Sequence, residues 1–90
     1  MDHIQINPDI VHLLADDVVF REEEFGGILF YRPQLWTFEI NHSGLGVVMA
    51  IRNNEGKAIK EVLNGSLEES ADFLQFLLVN GLMRGVSENG

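Results

Sequence analysis

Ninety residues, 46% apolar and 22% charged, suffice for one small globular core and leave too little surface to bury a second. Fourteen Asp and Glu against six Lys and Arg leave a formal charge of −8. This disfavours nucleic acid and anionic membrane surfaces, because both are bound mainly through cationic side chains. The absence of cysteine removes disulfides, thiolate nucleophiles and cysteine-ligated metals. No run approaches the ~20 apolar residues of a membrane span, and the opening MDHIQINPDI lacks a signal-peptide pattern, so the cytoplasm is the expected compartment.

Residues 1–17 are expected to form an N-terminal arm or short helix. Asn7-Pro8 can start a helix, and Ile10, Val11, Leu13 and Leu14 can give it one or two turns. Asp16 and Asp17 would oppose the macrodipole at its end and keep it short. The domain proper is expected over 18–86, with a frayed tail at 87–90. Val18 to Glu22 reads as a first strand running out into the charged turn Glu22-Glu23-Glu24. Gly26-Gly27 permits a positive φ or a close backbone approach before a second strand, Ile28 to Tyr31. Arg32-Pro33-Gln34 is a short connection, so Leu35 to Ile40 should return antiparallel. Alternation puts Trp36, Phe38 and Ile40 on one face of that strand and Leu35, Thr37 and Glu39 on the other. A three-strand meander leaves each outer strand with a free row of N–H and C=O groups.

Asn41 is a good N-cap, followed by an apolar helix with Leu45, Val48, Met49 and Arg52 at helical spacing. Asn53-Asn54-Glu55-Gly56 ends it. Lys57 to Leu63 makes a second helix closed by Asn64-Gly65. Ser66-Leu67-Glu68-Glu69 has the form of a capping box that opens a third helix, running to Asn80 and stopped by Gly81. Leu82-Met83 should then tuck back onto the core. Phe76, Leu78 and Val79 give this helix more apolar surface than a small domain readily buries, a hint of an interface. The fold class expected is therefore α+β: a three-stranded antiparallel sheet followed by three helices, in a winged-helix-like layout.

Nothing in the chain has the pattern of an active site. His3, His12 and His42 are scattered, and none has a second histidine or carboxylate three or four residues on along a confident helix. Gly44-Leu45-Gly46 is too short to suggest a phosphate loop. We expect no catalytic residue, metal or cofactor. Winged-helix domains commonly read DNA with the third helix, but here that helix presents Glu68, Glu69, Asp72, Gln75 and Asn80 and would repel phosphates. The same architecture can instead take an extended peptide between its outer strand and third helix.

Three segments resemble a known family. They are Arg21-Glu22-Glu23-Glu24-Phe25-Gly26-Gly27-Ile28-Leu29-Phe30-Tyr31, Phe38-Glu39-Ile40-Asn41-His42-Ser43-Gly44, and Asp72-Phe73-Leu74-Gln75-Phe76-Leu77 with Asn80-Gly81-Leu82-Met83. In order and spacing they resemble the PqqD-like peptide chaperones of pyrroloquinoline quinone and mycofactocin biosynthesis, also called RiPP recognition elements, over residues 18–86. The resemblance implies a non-catalytic module. It would bind the leader segment of a ribosomally made precursor peptide by strand addition and deliver it to a maturase, commonly a radical S-adenosylmethionine enzyme. Carried over by position, the peptide-binding residues are Leu35, Trp36, Thr37, Phe38, Glu39 and Ile40 of the third strand and Leu67, Ser70, Phe73, Leu74, Phe76 and Leu77 of the third helix. The chain departs from the family in its short second helix and in the apolar residues Phe76, Leu78 and Val79. An exposed edge also invites self-pairing, so a homodimer through the same strand is a further expectation. The alternatives are an acidic winged-helix regulator acting through protein contacts, and a small enzyme or enzyme subunit.

Overall fold

The computed structural model describes residues 6–86. The tail expected at 87–90 lies outside them. The chain runs β1 (Val11–Leu14), β2 (Val18–Glu23), β3 (Gly26–Tyr31), a 3-10 turn (Arg32–Gln34), β4 (Trp36–Asn41), α1 (His42–Asn53), α2 (Ile59–Leu63), α3 (Ala71–Val79) and β5 (Met83–Val86). The α+β class, the antiparallel meander β2-β3-β4 and the three helices after it are as the sequence led us to expect. In the meander Val18 is in register with Tyr31 and Trp36, and Phe20 with Leu29 and Phe38.

Of the two forms expected before β2, an arm or a short helix, the helix is not formed. Val11–Leu14 is not helical but a strand, and it pairs antiparallel with β5, Val11 opposite Val86 and Leu14 opposite Met83. An apolar run of four is too short for periodicity to separate helix from strand, so the available partner decides. That partner is delivered by the end of α3. Gly81, at φ 73°, donates its N–H to Leu78 and Leu82 donates to Leu77, which is the Schellman arrangement. Leu82 is thereby driven into the core against Leu77, both with no exposed surface, and the chain is launched as β5. The Ile10 carbonyl accepts from Ile59 and the Pro8 carbonyl from Lys60, so this N-terminal stretch is stitched to the start of α2 as well.

The capping box also fails to form. The Ser66 hydroxyl donates to the Leu63 carbonyl at 2.7 Å instead of accepting from Glu69. The end of α2 leaves that carbonyl without a helical partner, and the serine satisfies it. Residues 67–70 become turns, and α3 starts only at Ala71. By contrast Asn41 caps α1 as expected, its Oδ1 accepting from the Gly44 N–H at 2.8 Å. The left-handed Asn64 and Gly65 close α2.

The core lies between the inner face of the meander and the helices: Val18, Leu29 and Ile40 from the sheet, Leu45, Val48 and Ile51 from α1, Ile59 and Leu63 from α2, and Leu74 and Leu77 from α3. Two glycines let β3 close on the end of β4 and on α1. A Cβ on Gly26, at φ 143°, would lie 2.3 Å from the Ile40 carbonyl oxygen, and one on Gly27 would lie 2.9 Å from a methyl of Leu45.

Candidate peptide-binding groove

The two outer strands of the meander are not equivalent. The two-residue turn Glu24-Phe25 makes Glu23 and Gly26 the closing hydrogen-bonded pair of the β2-β3 hairpin. Alternation along an antiparallel ladder then turns the backbone groups of Gly27, Leu29 and Tyr31 toward β4, where they meet Ile40, Phe38 and Trp36. The groups left facing outward on β4 are those of Thr37 and Glu39 and the N–H of Asn41. On β2 the same alternation turns Val18 outward, and there both backbone groups are occupied. The Val18 N–H donates to Ala15, and its carbonyl accepts from Arg52 Nη2 at 2.9 Å. The Arg52 guanidinium also lies 6.0 Å from the Phe20 ring centre. One edge is thus closed at its start by a side chain of α1, and the other is open.

Beside the open edge runs a groove of about 550 Å³, lined by Thr37, Phe38, Glu39, Ile40 and Asn41 of β4 and by Phe73 and Phe76 of α3. Aromatic rings form a continuous row along it. Phe73 and Phe76 are stacked with centres 5.9 Å apart, and Phe76 meets Phe38 edge-on at 5.1 Å. Trp36 lies 6.0 Å from Phe38 and 5.9 Å from Tyr31. Such pairs hold one another in place while keeping apolar faces available.

The residues singled out in the sequence are thus partly brought together. Thr37, Phe38, Glu39, Ile40, Phe73 and Phe76 line the groove, and Trp36, 40% exposed, extends its aromatic row. Leu74 and Leu77 have no exposed surface and belong to the core. Leu67 is packed against the core, and Ser70 lies further along the molecule, among the residues facing α1. Leu35 is not part of β4. It is the left-handed end of the 3-10 turn at φ 55°, and its side chain is 77% exposed. Asn41, read as the helix cap and left out of the peptide-binding set, also lines the groove; a cap that ends an edge strand necessarily stands at the groove's mouth. Among the described residues no cluster of three or more His, Cys, Asp or Glu is placed to hold a metal ion, and no helix is long and apolar enough to cross a membrane.

The fold recurs within SuiB of Streptococcus suis. Its S-adenosylmethionine-bound structure matches at a TM-score of 0.60 with 19% identity, covering 81% of this chain and 17% of SuiB. SuiB bound to precursor peptide SuiA matches at 0.54 with 19% identity, covering 88% and 17%. SuiB alone matches at 0.54 with 20% identity. This chain therefore spans about a sixth of the length of the protein it resembles, and at that identity the likeness is one of fold. No protein-family model and no curated protein matches the chain.

Proposed function

We propose that the protein is a non-catalytic module that binds the leader segment of a ribosomally made precursor peptide along β4 and presents it to a radical S-adenosylmethionine maturase. The observation that carries this reading is the open hydrogen-bonding edge of β4 directly beside an aromatic groove, while on the opposite edge of the same sheet the first residue, Val18, is already paired. An extended peptide laid there adds a fourth strand, antiparallel to β4. Its alternate side chains point into the groove over Phe38, Phe73 and Phe76. The likeness to SuiB supports the biosynthetic setting. There the fold is part of a longer chain that has been seen bound to S-adenosylmethionine and to a precursor peptide.

Magnitudes separate the parts played by backbone and side chains. A few strand hydrogen bonds contribute about 1 kcal/mol each, against an association cost of roughly 4–15 kcal/mol. The bonds alone set register without giving useful affinity. Each apolar side chain fully buried in the groove adds about 1.5–3 kcal/mol, so the aromatic row supplies the binding energy and selects for apolar residues at alternate guest positions.

Glu39→Pro is the direct test. Its N–H faces the open edge, where proline is tolerated, so the fold should survive while strand addition is lost. Titration of the isotope-labelled wild-type chain with a candidate leader peptide carrying apolar residues at alternate positions should shift the amides of Thr37, Glu39, Asn41, Phe73 and Phe76. In Glu39→Pro these shifts should vanish. Shifts confined to β1 and β5, or undiminished in the variant, would refute the reading.

A further inference from the structure

The groove beside β4 does not end at Asn41. Asn41 and Phe73 also line a second hollow, of about 250 Å³, between the first turn of α1 and the start of α3, where Glu69 and Asp72 stand. Ser43, Val47, Glu69 and Ser70 carry this hollow into a third of about 550 Å³, which follows α1 past Gly46 and Ala50 to Val62 of α2. The depth along α1 comes from its short side chains. A Cβ on Gly46 would meet nothing within 4 Å.

We propose that the N-terminal flank of the guest peptide follows this path. A Lys or Arg ahead of the paired segment is held by Glu69 and Asp72, and an apolar side chain further out is seated between Gly46, Ala50 and Val62. This rests on the proposed function and specifies the peptide it requires. A guest antiparallel to β4 has its N-terminal end beside Asn41, so what precedes the paired strand leaves over the start of α1. Pairing from Thr37 to Asn41 takes about 17 Å of extended chain. Passing Ser43 to Ala50 takes about 10 Å more along the helix, which is roughly three extended residues. The footprint is therefore about eight residues. Charge selects the flank's chemistry. Both carboxylates are on exposed residues, the ion pairs among the described residues, Arg21–Glu23 and Lys60–Asp9, involve neither, and the chain as a whole carries −8.

The test is selection of a displayed library of random peptides on the full chain, with the selected peptides re-measured against three variants. Enrichment of Lys or Arg N-terminal to an alternating apolar segment is expected. Gly46→Leu fills the cleft and improves local helix propensity, so it folds; it should weaken the selected peptides about tenfold. The Glu69→Gln, Asp72→Asn double variant should weaken them similarly and flatten their salt dependence. Glu39→Pro should abolish binding. Peptides that need an intact Glu39 position but carry no basic flank, and that ignore the other two variants, overturn the extended path and leave leader binding standing. Peptides indifferent to Glu39→Pro, or no binders at all, overturn both.

Discussion

Gly26 and Gly27 allow β3 to lie within touching distance of the end of β4 and of Leu45 on α1. The contact at Gly26 is with backbone, which cannot swing aside: a methyl there would sit 2.3 Å from the Ile40 oxygen and 2.4 Å from the Asn41 carbonyl carbon. Gly26→Ala should therefore destabilise the fold by roughly 3 kcal/mol, combining a positive-φ penalty with a forced strand displacement. Gly46→Ala, in an open part of α1, should stabilise by about 0.5–1 kcal/mol through helix propensity alone. Urea unfolding of the two variants reads both signs. His12 makes a second residue-scale prediction. Burial in β1 pushes its imidazole below the ordinary range, while the Ile10 carbonyl 3.2 Å from Nδ1 pulls the other way. The unfolded chain then takes up the proton first as pH falls. The stability tied to neutral His12 is complete above about pH 6.5 and drains away below it, toward the lowered folded value. Thermal melts between pH 7.5 and 5.5 should show wild type losing more stability than His12→Gln; equal losses would mean that His12 titrates alike in both states.

At the scale of elements, β4 is defined by which of its amides the sheet uses. Hydrogen exchange should find the Phe38 and Ile40 amides protected and those of Thr37 and Glu39 fast, a period-two pattern set by the Glu23–Gly26 turn. Peptide binding should then protect the fast pair. The opposite phase would make Phe38 and Ile40, not Thr37 and Glu39, the residues whose backbone groups are free for a guest. The meander, the Asn41 cap and the ends of α2 and α3 were legible because each depends on residues adjacent in sequence: alternation, an Asx side chain, or a left-handed Asn or Gly. The start of α3 was misread because Ser66 had two local uses. The Leu63 carbonyl, orphaned by the end of the preceding helix, was the nearer one. β1 and β5 were missed because neither carries a period long enough to read. Each exists because the other is brought beside it from across the chain.

For the whole molecule, the asymmetry between its two sheet edges matters most. Arg52 reaches from α1 to the first residue of β2 and closes the start of that edge by donating to the Val18 carbonyl, with its guanidinium over the Phe20 ring. Its buried Nε has no partner, so the closure carries a cost that an exposed arginine would not. Arg52→Met keeps the stem and removes the donors. It should free the start of the β2 edge and produce concentration-dependent self-association in sedimentation velocity beyond that of wild type. If the variant behaves as wild type does, Arg52 serves packing only.

Composition and local pattern by themselves determined the class of fold and the three strands of the meander with their faces, since these follow from side-chain periodicity. Tertiary structure alone decided which candidate residues meet. It buried Leu74 and Leu77, turned Leu35 out of the strand, aligned Phe38 with Phe76 across 38 residues of sequence, and left one sheet edge open while shutting the start of the other. Those outcomes depend on packing between distant elements, and periodicity within an element carries no information about what it will be packed against.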